Sequence, residues 1–203
     1  MRAIASLLPG LGVLLLATGL LAGCQQAQAP KFHATVLDNP GFAQDFRLQD
    51  PDGRERTLAD WRGKAVLLFF GYTQCPDVCP TALSRAARVM ELLGPDADRL
   101  QVLFVTVDPA RDTPELLKEY PTAFHPSFLG LRTSVEGTAE VARQFRVFYR
   151  INPGSTPSTY TIDHSVTSYA YDPGGRLRLA IPHDAPAEAV AQDIRTLLAS
   201  RVE

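Results

Sequence analysis

Two cysteines carry most of the chemistry this sequence can do. They lie in Phe69-Phe70-Gly71-Tyr72-Thr73-Gln74-Cys75-Pro76-Asp77-Val78-Cys79-Pro80, spaced Cys-x-x-x-Cys. Residues four apart on one turn come within about 6 Å, near enough to close a disulfide or to grip one soft ion. Pro76 and Pro80 each disfavour helical geometry in the residue before them, which assigns Cys75 to a loop and Cys79 to the start of a helix opened by Pro80. A thiol at a helix N-terminus meets backbone N–H groups and the positive end of the dipole, so this reading places the lower thiol pKa at Cys79. An inert disulfide or two small core residues are the plainer alternatives. Flanking prolines and a strand-to-helix loop suit reactive sulfur better.

The surrounding pattern supplies the elements that must hold these thiols. Ala65 to Phe70 is a continuous apolar run, as in a central strand covered on both faces. Leu83, Ala86, Ala87, Met90 and Leu93 then recur at helical spacing up to Gly94-Pro95. Leu100 to Val107 predicts a second buried strand ending in Asp108-Pro109, with a helix capped by Thr113 and begun by Pro114. Phe128 to Leu131 reads as a short strand, and Thr133 with Glu136 has capping-box spacing before a helix through Val141 and Phe145. Ser165 to Tyr171 and Arg176 to Ile181 predict a hairpin around Asp172-Pro173-Gly174-Gly175, with His164 just ahead of its first strand. Ala187, Val190, Ile194 and Leu197 form the apolar face of a last helix, with Asp184 as its expected cap. An earlier hairpin is expected around Asp50-Pro51-Asp52-Gly53. Together these imply an α/β fold, a mixed sheet with helices on its faces, whose functional edge lies beyond the strands' carboxyl ends.

The 203 residues suit one domain with modest extensions, and 20 basic against 22 acidic residues leave a formal charge of −2 with no polybasic tract. That balance lacks the electrostatic footprint of nucleic-acid binding. Neither GxGxxG nor GxxxxGK[ST] occurs, so nucleotide-cofactor binding of those kinds has no support. Met1-Arg2 and the apolar, glycine-broken stretch to Leu20 read as a signal segment ending in Leu21-Ala22-Gly23-Cys24. This resembles the bacterial lipoprotein cleavage box. The expectation is therefore a signal peptide over 1–23, a lipidated Cys24, a membrane-proximal tether over 24–40 reaching roughly 20 Å, and a domain over 41–203. A plain transmembrane anchor is the alternative, and either exports the domain.

Cys75-Pro76-Asp77-Val78-Cys79-Pro80, Val107-Asp108-Pro109 with Arg111-Asp112-Thr113-Pro114, and Ile162-Asp163-His164-Ser165 together resemble the Sco (SenC) family, in matching order over nearly the whole domain. The resemblance implies a thioredoxin-like fold in which a hairpin carries the metal-ligand histidine. It implies one copper ion, Cu(I) or Cu(II), held by Cys75, Cys79 and His164 and delivered to the binuclear copper centre of cytochrome c oxidase. Implied partners are that oxidase's copper-site subunit or another periplasmic copper carrier, met by a monomer tethered to the membrane. The donor chemistry agrees, since two thiolates suit Cu(I) and an imidazole extends the site to Cu(II).

The remaining candidates sit around that set. Asp163 can orient a ligand or cap the chain locally. Asp108 can shape the site or merely begin a turn, and Asp77 can tune thiolate charge or stand solvated in its loop. His33, His125 and His183 read as solvated or structural. The competing function is a thiol–disulfide oxidoreductase that reduces the cysteines of an apo copper site, with Cys75 and Cys79 as redox pair and Cys79 attacking. A peroxidase fits poorly, because the places of Thr and Pro in P-x-x-x-T-x-x-C hold Tyr72 and Leu68. A structural zinc site wants a fourth ligand.

Overall fold

The computed structural model describes residues 30–37, 40–156 and 158–200. Cys24 and the expected signal segment lie outside them. Thr35–Val36 forms β1; Leu48–Gln49 and Glu55–Arg56 form β2 and β3, an antiparallel hairpin. Its turn is built by Asp50, whose buried carboxylate accepts from the N–H groups of Asp52 and Arg54 and from the Arg56 guanidinium. Gly53 sits there at φ +79°, the left-handed region glycine tolerates.

Ala65–Gly71 is β4, Val78–Leu93 α1, Leu100–Thr106 β5, Pro114–Thr122 α2 and Leu129–Leu131 β6. Every residue of β4 is buried, and since successive side chains point to opposite faces, both faces of the sheet are covered there. β4 runs parallel to β5 from Ala65↔Leu100 to Gly71↔Thr106, and β5 runs parallel to β6. Val135–Gln144 is α3, Tyr149–Asn152 β7, Thr161–His164 β8, Ser168–Tyr171 β9, Leu177–Ile181 β10 and Ala187–Ala199 α4. The main sheet has the order β1-β10-β9-β4-β5-β6, with β9 antiparallel to β4, so it is mixed as expected. Helix α4 packs on α1, behind the strand that delivers the cysteine loop.

Several expectations shift. Helix α1 begins at Val78, two residues before Pro80, with Asp77 as its N-cap. Ser134, not Thr133, caps α3, accepting from the Gly137 N–H at 3.0 Å. Helix α4 follows Pro186 rather than being capped by Asp184. The stretch read as a tether to residue 40 enters the sheet earlier, because Thr35 and Val36 pair with Ala180 and Leu179. The largest difference concerns the histidine. His164 ends β8, whose partner β7 was not foreseen, and the next strand starts only at Ser168.

Candidate metal centre

Strand β4 releases the chain at Gly71 into a tight loop, where the Cys75 N–H donates to the Tyr72 carbonyl. The first turn of α1 then brings Cys79 back beneath it. The Cys79 N–H donates to Cys75 Sγ at 3.4 Å, so a free amide of the helix N-terminus faces Cys75 rather than Cys79. Cys79 Sγ instead points inward, against Phe104 and under Gly71: a Cβ on Gly71 would lie 2.5 Å from that sulfur and 2.7 Å from Phe104 Cε2. Glycine is the residue that leaves room for the second thiol. Both thiols are free, with Cys79 almost fully buried and Cys75 9% exposed.

The hairpin β7–β8 carries the third donor. Tyr149↔His164 is its last pair, and Ser165 closes the end: its N–H donates to the Phe148 carbonyl and its Oγ accepts from the Phe148 N–H. His164 Nε2 lies 3.5 Å from Cys79 Sγ, and Nδ1 lies 2.9 Å from the Ser165 carbonyl. A carbonyl at Nδ1 holds that nitrogen as the N–H and leaves Nε2 as the lone-pair donor toward the sulfurs. Tyr72 meets the imidazole edge-on, centroids 5.9 Å apart, while its hydroxyl accepts from the Ile162 N–H. The Sγ atoms and the imidazole nitrogen all lie within 4.8 Å of one another. Cys75 and His164 border a cleft of about 410 Å³ that Asp77, Ile162 and Val166 also line.

The electrostatics reverse the expected order of the thiols. The hydrogen bond from the Cys79 thiol holds Cys75 down at about 3 against the opposing cost of burial, with further help from His164 and the amides of Asp77 and Cys79. The same hydrogen bond, burial and the charge on Cys75 push the Cys79 thiol far up. Cys75 is therefore the thiolate, and Cys79 its proton donor. Burial lowers His164, yet the hydrogen bonds to Cys75 and Ser165 outweigh it and its pKa is raised.

The outer residues divide. Of the two roles open to Asp163, the structure shows the local one: it is exposed and pairs with Arg150 at 2.8 Å, while the His164 Nδ1 is held by the Ser165 carbonyl. Asp77 stands at the cleft's mouth, its carboxylate near Thr81 Oγ1. Asp108 is buried and accepts from Arg111 Nε and, at 2.7 Å, from the Tyr160 hydroxyl. Burial and then that hydrogen bond push Tyr160 up to about 12, which keeps it a donor. His33 is tied to Asp193 and Gln192, His125 to Ser127, and the His183 carbonyl accepts from Arg85; none joins the cluster.

Sequence reasoning passed over Gly71, Tyr72 and Asp112. Asp112, fully buried, accepts from the Thr73 N–H, from Thr73 Oγ1 at 2.6 Å and from Thr106 Oγ1 at 2.5 Å. It pins the loop before Cys75 to the end of β5. Its burial raises its pKa, the hydroxyl and amide donors opposing. The signal for it was present in the run Arg111-Asp112 after a buried strand, but a carboxylate there reads as an ordinary helix lead-in.

Comparison with known proteins adds the following. A family model described as SCO1/SenC matches residues 35–199. The mitochondrial SCO2 homologue of Bos taurus is 40% identical over 158 residues, 77% of this chain and 59% of that protein. The chain thus spans about three fifths of the length of the mammalian relatives it matches. Among solved structures, apo Sco1 from Thermus thermophilus is 43% identical with a TM-score of 0.74, covering 84% of this chain and 99% of that one. Copper-bound ScoI from Bradyrhizobium japonicum is 37% identical with a TM-score of 0.68, covering 74% and 96%.

Proposed function

Because the chain belongs to the SCO1/SenC family, we propose that it is a copper metallochaperone that holds one copper ion through Cys75, Cys79 and His164 and passes it to the binuclear copper centre of cytochrome c oxidase during assembly. The observation that carries this reading is the convergence of two thiols and one imidazole, from elements far apart in the chain, within 4.8 Å. The donor set fits the cargo. Two sulfurs match soft Cu(I), and the imidazole adds a donor that Cu(II) accepts. Among the described residues no fourth His, Cys, Asp or Glu joins the group, whereas a closed zinc site wants four.

This chain's own residues set the sequence of events. Cys75, already thiolate, meets the incoming ion at the exposed side; Cys79 gives up its proton as the second sulfur binds; His164 offers Nε2 from the hairpin. The ion leaves by ligand exchange with a partner's donors at the open cleft, so each protein ligand is replaced before the next is released. The test is mass spectrometry of the reduced protein after anaerobic copper loading. One copper per chain, lost on Cys75→Ser or Cys79→Ser, is expected; uptake indifferent to both substitutions contradicts the reading.

A thiol–disulfide reductase that prepares the cysteines of an apo copper site is the second reading, favoured by the depressed Cys75 thiol beside a protonated Cys79. In it Cys75 attacks a partner's disulfide and Cys79 resolves the mixed disulfide, so two thiols are oxidised as the partner's pair is reduced. Turnover of a protein disulfide by the copper-free protein, abolished by Cys75→Ser, supports it. Lipidation of Cys24 would hold the domain at an exported membrane face, facing periplasm or cell exterior, as a monomer. Loss of metabolic acyl labelling in Cys24→Ser checks the anchor.

A further inference from the structure

One loop, between β5 and α2, touches both halves of the metal centre. From it Asp112 reaches inward to Thr73, two residues before Cys75. Its neighbour Arg111 reaches the other way. Arg111 Nη1 donates to the Tyr160 carbonyl at 2.8 Å and to the Ser158 carbonyl at 3.3 Å, and its guanidinium stacks over the Tyr160 ring at 3.4 Å. The same Nη1 lies 3.2 Å from Gln74 Oε1, the residue before Cys75. Asp108 binds Arg111 Nε with one carboxylate oxygen and the Tyr160 hydroxyl with the other, closing a ring of contacts.

These contacts matter because of how the hairpin is attached. Strands β7 and β8 pair only with each other, as a separate two-stranded sheet. An isolated hairpin is marginal in water, so its position must come from what it rests on. On the core side that is Ile162, 4% exposed, with its N–H on Tyr72. Tyr149 of β7 also packs against the core. On the side where the chain enters β8, the attachment is the Arg111 ring of contacts at Ser158 and Tyr160. His164 lies at the far end of that four-residue strand, so a slip or tilt at Tyr160 moves the imidazole relative to the sulfurs.

Resting on the copper reading above, we propose that Arg111 is the positioning residue that keeps His164 within reach of the Cys75–Cys79 pair, with Asp112 fixing the cysteine loop from the same turn. Arg111 touches neither the ion nor a ligand. It acts by locking the hairpin to the loop that also registers the thiols. Lysine does not replace it, because a lone ammonium cannot stack on Tyr160 while bridging two carbonyls and Asp108.

The test compares wild type, Arg111→Ala, Arg111→Lys and His164→Ala. In metal-free protein, amide exchange at Ile162 and His164 should quicken about 10- to 100-fold in Arg111→Ala, the scale of a lost hydrogen bond to a charged group, while the amides of β4 and β5 keep their protection. With copper, Cu(II) affinity in both Arg111 variants should fall toward that of His164→Ala, while Cu(I) affinity and closure of the Cys75–Cys79 disulfide stay near wild type. Arg111→Lys, which keeps a cation beside Asp108, guards against simple misfolding. Unchanged exchange at Ile162 overturns the proposal, as does a loss of Cu(I) and Cu(II) binding together with protection across β4 and β5. If wild type takes up no copper, the copper reading fails, and the metal-free exchange at Ile162 still decides the role of Arg111.

Discussion

Replacing Gly71 by alanine asks the structure to place a methyl group where Cys79 Sγ and Phe104 already are. The new Cβ would lie 2.5 Å from the sulfur and 2.7 Å from Phe104 Cε2. Carbon contacts are comfortable at about 3.5–4.0 Å, so relief takes a displacement of about 1 Å. Phe104 is 0% exposed and Cys79 1% exposed, so neither can swing into solvent. Overpacking of this kind costs about 1–3 kcal/mol. At about 2–4 °C per kcal/mol for a domain of this size, Tm should fall by about 2–12 °C. Moving the sulfur also disturbs its 3.5 Å approach to His164, so copper affinity should drop in the same variant. The assay is thermal unfolding of the reduced, metal-free protein beside Cu(I) competition. Gly53→Ala is the control: its Cβ meets nothing within 4 Å, but φ +79° makes alanine strained. It should lose stability and keep copper binding. A Gly71→Ala protein with wild-type Tm and wild-type copper affinity would refute the packing argument.

The thiol order can be read by alkylation: iodoacetamide should modify Cys75 and not Cys79, at a rate nearly flat from about pH 5 to about pH 8, where an ordinary thiol accelerates about tenfold per unit. A rate that climbs tenfold per unit would contradict the depressed pKa. For His164 the folded pKa is raised, so its contribution to metal-free stability is full below its ordinary value of 6.5 and fades as pH rises through the shifted value. Copper must displace the Cys79 proton throughout this range and the His164 proton as well below its shifted value, so Cu(II) affinity should fall with acidification by about tenfold per unit above that value and about a hundredfold per unit below it, and His164→Ala should keep the tenfold slope throughout. Asp112→Asn turns an amide group toward donors from Thr73 and Thr106 and should cost about 1–3 kcal/mol in a denaturant titration, so an unchanged midpoint would show the three donors do little.

The buried strands and their helices were legible because their patterns are long and unambiguous. Ala65–Gly71 is apolar throughout, and Pro114 after Thr113 marks a helix start by chemistry alone. The three residues that cluster, Cys75, Cys79 and His164, were nameable from the three motif segments together, while their geometry was not. Hairpin β7–β8 has four residues per strand and only Ile162 fully buried among them, too short and too polar to show alternation. The low pKa was misplaced at Cys79 because position in a helix does not say which way a side chain points. The Cys79 thiol donates to Cys75, the terminal amide faces Cys75 as well, and Cys79 turns into the core. For Asp163 the sequence leaves open whether it orients a ligand or acts locally; successive residues of a strand face opposite sides, and it pairs with Arg150 across the hairpin. Arg111 and Asp112 stand in one of the quoted motif segments, but they act through partners far along the chain, so the segment names them without showing their role.

Under the proposed function Cys75, Cys79 and His164 act as one copper site. Its most direct test is anaerobic copper titration of the reduced protein and of His164→Ala, following Cu(I) by competition and Cu(II) by its thiolate charge-transfer band. One-to-one binding is expected in wild type, with the Cu(II) band and affinity sharply reduced in the variant and Cu(I) binding largely kept. Equal Cu(II) spectra and affinities in the two proteins would remove His164 from the site and contradict the claim.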